Sequence, residues 1–277
     1  MALSVTILTD DQVHRGEGLL AEHGLSLLVE TEGSKVLLDA GQSDVCRKNA
    51  ACLDTDLSDL DTIVLSHGHY DHGDGLPSLV EEVERPEVIA HPEAFSSRFV
   101  RQAGREDRYV GLGYDAESLA RSGARVRLEA GPWEIAQGLV ASGHISRVTS
   151  FEDGNSQFWM VVNREWCCDR FEDDQALLAH TPEGLVVLLG CAHAGAVDTL
   201  RHAMTLTGDD RIRAVVGGFH LAGASSERIE QTAAALREME VRQVVACHCT
   251  GFAARTHLHA TFGQRFTNGA VGLRLTF

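Results

Sequence analysis

The chain has 277 residues, of which 44% are hydrophobic and 23% charged, with 27 glycines and only 5 prolines. That balance gives room for a large core and excludes a disordered or collagen-like chain. The net charge of −16 repels phosphate backbones and argues against a nucleic-acid partner.

Taken in chain order, VTIL (5–8), LSLLVE (25–30) and KVLLDAG (35–41) read as three strands punctuated by glycines. Residues 44–60 read as a weakly patterned helix. TIVLSH (62–67) is β-branched and almost wholly apolar, as in a strand buried on both faces. It runs straight into a polar, glycine-rich loop. Residues 76–84 are expected to be helical, and EVIAHP (87–92) to be a strand. The stretch 94–123 is rich in Arg, Gly and Tyr without a steady period, and is expected to be an excursion near the active site. Strand character returns in ARVRLE and EIAQGLVASGH (124–144), FWMVVN (158–163) and GLVVLLG (184–190). The acidic segment REWCCDRFEDDQAL between the last two reads as loop and turn. Helices are expected at 194–208 and 225–241, the second capped by Ser225 or Ser226 with Ile229, Ala233 and Leu236 on one face. IRAVVGG (212–218) and QVVACH (243–248) are strands, followed by a helix near 253–263 and a closing strand, AVGLRLTF. Pattern alone implies a mixed α/β chain without an internal linker, one domain over 1–277.

The seven cysteines are odd in number and not spaced as a disulfide framework, the start lacks a basic and apolar leader, and no long apolar run occurs. The expectation is a reducing, cytoplasmic setting and no membrane segment.

The sharpest chemical signal is HGHYDHGDG, beginning at His67. His67, His69, Asp71 and His72 crowd one glycine-rich loop directly after a buried strand. Imidazole and carboxylate suit zinc, iron or manganese. His67 and His69, two apart, can hold one ion, and Asp71 and His72 a second. No glycine-rich nucleotide loop or nucleophile elbow is present.

HGHYDH resembles the signature of the metallo-β-lactamase superfamily, and LLDAG, with Asp39, resembles its first motif, whose aspartate orients the histidine loop. More narrowly, EHGLSLLVE (22–30), LLDAG (37–41), SHGHYDHGDGL (66–76), LLGCAHAG (188–195), GGFHLAG (217–223) and CHCTG (247–251) are similar to one branch, the 7,8-dihydropterin-6-yl-methyl-4-(β-D-ribofuranosyl)aminobenzene 5′-phosphate synthase-like proteins. The resemblance implies a four-layer αββα sandwich holding two divalent ions, zinc first, with manganese or iron as alternatives.

It also implies ligands from the second half. His248 resembles the last superfamily histidine. His193 follows the strand end where the superfamily has Gly-Asp; here Cys-x-His stands instead, so Cys191 or His193 takes the place of the bridging carboxylate. Cys191 has a plain core role as its alternative. His144 lies near the third motif and is a further candidate ligand. His220 either supports a loop or serves substrate binding or proton transfer. Asp10, Asp11, Glu22 and His23 are expected behind the ligands or along the pocket. Arg98, Arg101 and Arg105, with Arg108 beside them, are either solvated surface or the patch that meets an anionic substrate. Cys247 and Cys249 flank His248, yet no second pair is spaced to complete a four-thiolate site, so one of them is expected to be buried and inert.

The expected function is a metal-dependent hydrolase in which activated water attacks a small anionic, phosphorylated or carboxylated metabolite. Asp71 would steer the water and take its proton, and His220 or His144 would protonate the leaving group. The alternatives are a pterin-pathway synthase-type transferase, an iron-dependent redox enzyme and a non-catalytic ligand-binding module. The expected partner is a small molecule, with homo-oligomerisation left open.

Overall fold

In the computed structural model, residues 2–16, 18–152, 157–162 and 164–277 are described. One seven-stranded sheet has the order Arg274–Thr276, Ser4–Thr9, Ser26–Glu30, Lys35–Leu38, Thr62–Val64, Glu87–Ala90, Arg125–Leu128. Its last four strands are parallel. A second has the order Phe266–Asn268, Val244–Cys247, Ile212–Gly218, Gly184–Leu189, Ala176–Thr181, Leu139–Ala141, Trp133–Ala136, and its first four strands are parallel.

The apolar runs explain the layering. Along Gly184–Leu189, Val186 and Leu188 join Leu27, Val29 and Leu38 of the first sheet in a core between the sheets. Leu185, Val187 and Leu189 point the other way, against Leu200, Ile229, Ala233, Leu236 and Leu258 of the covering helices. A strand buried on both faces needs no polar alternation, hence the uninterrupted run in sequence. The outer face of the first sheet is covered in the same way by Cys46, Ala50, Leu76, Leu79 and Leu119. Each fully buried Leu or Val contributes about 1.5–3 kcal/mol. Helices therefore lie outside two stacked sheets, the αββα arrangement.

Several elements differ from expectation. The helix expected over 44–60 spans only Val45–Cys52, and that at 76–84 only Leu76–Val80. EIAQGLVASGH is a hairpin rather than one strand, because Gly138, at φ 76°, turns the chain between Trp133–Ala136 and Leu139–Ala141. The acidic segment before 178 is not all loop: Glu165–Cys168 and the start of Ala176–Thr181 lie in it. Phe266–Asn268 also was not expected. Asn163, the end of the expected strand FWMVVN, lies outside the described residues.

Ser226–Glu238 forms the helix read most clearly from periodicity, and Ser225 Oγ accepts a hydrogen bond from the Arg228 amide at 3.1 Å. Replacing Ser225 with alanine is expected to cost about 1 kcal/mol in urea unfolding. An unchanged midpoint would show that water replaces this cap.

The stretch 94–123 contributes Ser97–Val100 and Arg108–Tyr109 to a four-stranded sheet with Phe158–Val162 and Glu165–Cys168. It is tied to the histidine loop by a bridge between His69 and Gly111 and by the Tyr70 amide, which donates to the Val110 carbonyl at 3.1 Å. Among the described residues, no helix is long and apolar enough to cross a membrane.

Candidate metal centre

Parallel strands of both sheets end on the same side. Asp39 follows Lys35–Leu38, and Ser66 and His67 follow Thr62–Val64; from the other sheet, Cys191 and His193 follow Gly184–Leu189, His220 follows Ile212–Gly218, and His248 follows Val244–Cys247. The carboxyl ends of parallel strands are where open α/β sheets gather their ligands. Asp39, Ala192, His220 and His248 all have positive φ, between 45° and 61°. Such conformations are strained for residues other than glycine and cluster at functional sites.

His67, His69 and His193 offer ring nitrogens within 4.8 Å of one another. The Nε2 atom of each is buried without a hydrogen-bond partner. Three orphaned imidazole nitrogens turned on one point would be costly in an ordinary core and suit a cation there. Burial holds all three rings well below the ordinary histidine pKa, so they are neutral, as ligands must be. The His67 ring is fixed by a relay: its Nδ1 bonds the Ser66 hydroxyl at 2.9 Å, and that hydroxyl donates to Asp39 at 2.7 Å. His193 is stacked on Phe171 at 3.9 Å.

A second set of donors adjoins the first. His72 Nε2 lies 3.3 Å from His248 Nε2 and 3.2 Å from Cys191 Sγ. Asp71 Oδ2 is 3.3 Å from His248 Nε2 and 3.9 Å from His72 Nε2. Asp39 accepts from His72 Nδ1 at 2.6 Å, and Asp11 from His248 Nδ1 at 2.9 Å, which turns both Nε2 atoms inward. Cys191 stands between the sets, within 4.8 Å of donors from His67 and His72. Although burial opposes charge on His248, Cys249, Asp11 and Asp71 hold its pKa well above the ordinary value. The field at this position therefore attracts cations. Asp71 stays ionised for the converse reason: burial would raise its pKa, but the His248 ring foremost holds it well below the usual carboxylate range.

A cavity of about 290 Å³ opens on these groups, lined in part by His23, His69, Asp71, His193, His220 and His248. His220 has a buried Nδ1 without a partner and a ring 4.1 Å from that of His193. His23 Nε2 is 3.3 Å from Asp71. Asp10 lies behind the site, accepting from the His248 amide at 2.6 Å, with its pKa pushed up to about 6 by burial.

Other expected site residues lie elsewhere. His144 bonds the Glu172 carbonyl at 3.0 Å and does not line the cavity. Glu22 braces the following turn, accepting from the Gln42 amide at 3.2 Å and the Ser43 hydroxyl at 2.5 Å. Arg98 is buried against Asp169 and Asp173 at 2.9 and 2.8 Å and cannot meet a substrate. Arg101 pairs with Asp107 and lies over the Trp166 ring, while Arg105 is exposed away from the cavity. Arg108 is the one lysine or arginine among the lining residues.

Phe158, Asp173 and Asp174 were not singled out from sequence. Asp173 accepts from the Gly68 amide at 2.8 Å, between the two loop histidines, and Asp174 from the Ala194 amide at 2.7 Å, beside His193. The acidic pair directly before the apolar run ALLA is the signal that marks them. Burial pushes the Asp174 carboxyl from 3.8 up to about 8. A raised folded-state pKa stabilises fully below the unfolded value and loses that contribution as pH rises toward the folded one. In chelator-treated protein, Asp174→Asn is therefore expected to gain in melting temperature relative to the parent as pH rises from 4 to 8, then level off. A pH-independent difference would contradict this.

Two stacked sheets with paired histidine clusters at their facing ends define the class of αββα metal-centre proteins. The chain belongs to the metallo-beta-lactamase superfamily, whose sequence profile matches residues 20–149. It is 30% identical to the uncharacterized protein MJ0448 of Methanocaldococcus jannaschii over 97% of this chain and 98% of that one. It is 27% identical to the 7,8-dihydropterin-6-methyl-4-(beta-D-ribofuranosyl)-aminobenzene-5'-phosphate synthase of the same organism, over 99% of this chain and 97% of the relative. The crystal structure of Tm1679, a metal-dependent hydrolase of the beta-lactamase superfamily, superposes with a TM-score of 0.85 at 32% identity, covering 99% of this chain and 98% of that one.

Proposed function

We propose that the chain is a metal-dependent hydrolase of a small anionic metabolite, with His67, His69 and His193 holding one divalent ion and Asp71, His72 and His248 a second. The observation that carries this reading is the convergence of three buried, unpartnered Nε2 atoms, two of them, on His69 and His193, belonging to residues of the cavity wall. Divalent ions bound there supply Lewis acidity and lower the pKa of water toward neutrality. Burial keeps the first three imidazoles neutral, and Asp39 and Asp11 fix the tautomers of His72 and His248. Asp71, ionised and at the cavity wall, accepts the proton of the attacking water. His220, on the cavity wall, passes a proton to the leaving group. Arg108 at the cavity draws in the substrate's phosphate or carboxylate. Seven cysteines without a disulfide fit a reducing, cytoplasmic setting.

A synthase-type transfer is the second reading, favoured by the 27% identical relative that carries a synthase name along its full length. The same residues would then hold an acceptor other than water.

Elemental mass spectrometry on protein purified without chelator tests the centre. About two zinc or similar ions per chain are expected, with about one lost in His69→Ala and in His193→Ala. No stoichiometric metal, even after reconstitution, would sink the proposal. Release of alcohol from phosphoesters or lactones, against transfer to an added acceptor, separates the two readings.

A further inference from the structure

Cys247 and Cys249 meet different fates. Cys247 ends its strand fully buried in the core between the sheets. His248 then adopts φ 47°, a short turn begins, and Cys249 swings out to line the cavity. There its sulfur, the sulfur of Cys191 and a ring nitrogen of His248 all lie within 4.8 Å of one another.

The intervening strand allows this meeting. A Cβ at Gly218 would sit 2.6 Å from Cys249 Sγ and 3.4 Å from Cys191 Cα. The Gly190 carbonyl oxygen would lie 2.6 Å from the same Cβ, so only glycine leaves room at the end of Ile212–Gly218 for Cys249 Sγ beside the Gly190–Cys191 backbone. The sulfur is also placed to accept: the His220 amide donates to Cys249 Sγ at 3.3 Å. In the thiol form, its proton has the Cys191 carbonyl at 3.6 Å. An inert core cysteine needs neither a donor aimed at its sulfur nor a place on a cavity wall.

We propose that Cys249 is a metal ligand and that, with Cys191 and His248, it makes the second metal position a two-sulfur site for thiophilic divalent ions. This rests on the reading of the cavity as a metal centre. Thiolate donors favour zinc, cobalt or cadmium over the hard ions magnesium and manganese, which take oxygen. Asp71 Oδ2 and His72 Nε2 each lie 3.3 Å from His248 Nε2, so the two sulfurs add to the superfamily-type set rather than replacing it.

Cobalt(II) substitution of the full-length protein separates the two claims. Visible d–d absorption reports that the ion is bound, and near-ultraviolet sulfur-to-cobalt charge transfer reports the thiolates. Cys249→Ser and Cys191→Ser are each expected to lose roughly half of the charge-transfer intensity and to keep the d–d bands, and the double variant to lose it all. Cys247→Ser should leave both signals unchanged. Undiminished charge transfer in Cys249→Ser overturns the proposal while leaving the metal centre standing; failure of cobalt to bind the wild type overturns both. Alkylation of wild-type Cys249 by iodoacetamide, followed by peptide mass spectrometry, needs no variant. Cobalt or zinc should slow it at least tenfold and magnesium should not, and equal rates with and without cobalt would also overturn the assignment.

Discussion

Asp71→Asn is expected to lower turnover by about 10²–10⁴-fold while leaving KM within a few-fold. The expectation follows from where the carboxylate sits and how it is charged. Its Oδ2 is 3.3 Å from both His248 Nε2 and His23 Nε2, on the wall of the cavity. Burial alone would push its pKa up, but the surrounding imidazoles, His248 foremost, hold it down. It is thus an ionised acceptor throughout the neutral range. Asparagine keeps the shape and one oxygen but neither takes a proton nor balances the cations around it. The measurement is steady-state kinetics on whichever phosphoester or lactone the wild type turns over, paired with metal content. If the loss of turnover tracks the loss of metal and excess ion restores it, Asp71 is a ligand alone. If the variant is fully metallated and still slow, the proton-accepting role stands.

The residues most legible in the sequence are those whose neighbours are local. His67, His69, Asp71 and His72 fall within one loop after one apolar strand, and strand ends marked His193 and His248. The layers were legible for the same reason: runs such as VVLL need two apolar faces to bury them. What could not be read depends on contacts far apart in the chain. Asp173 bonds the Gly68 amide across 105 residues, and Arg98 meets Asp169 across 71. A cluster of arginines therefore looked like a substrate patch, although Arg98 alternates inward on Ser97–Val100 and only Arg108 reaches the cavity. His144 was a further candidate by analogy with a motif position, but where that position points depends on how the two halves face each other, and His144 turns to the Glu172 carbonyl, off the cavity. In the CHC run one cysteine was expected to be buried, as Cys247 is; that Cys249 reaches the cavity was not legible, because residues two apart share a face only while a strand continues and this strand stops at Cys247.

Arg98→Ala is expected to destabilise the protein by about 3–5 kcal/mol in urea unfolding at neutral pH. The guanidinium is fully buried and donates to Asp169 and Asp173 at 2.9 and 2.8 Å and to the Glu93 carbonyl at 3.2 Å. Even with this partner, burial pushes Asp169 up to about 6. Without it, two carboxylates are left to repel each other away from water, so the deficit should be smaller at pH 5, where Asp169 takes up a proton, than at pH 8. Adding Asp169→Asn and Asp173→Asn to the alanine variant should recover a large part of the loss. If the triple variant is no more stable than the single, lost packing of the long side chain accounts for the effect and charge does not. The loss should reach the centre as well, because the Gly68 amide that Asp173 holds lies between His67 and His69. A Cβ at Gly68 would fall 1.8 Å from the Ala94 carbonyl oxygen, so this part of the loop is clamped on both sides. Freeing one side should weaken metal binding about 10–100-fold, the scale typical of groups that orient ligands without touching the ion. Unchanged affinity in a destabilised variant would mean that the Ala94 side of the clamp sets the geometry by itself.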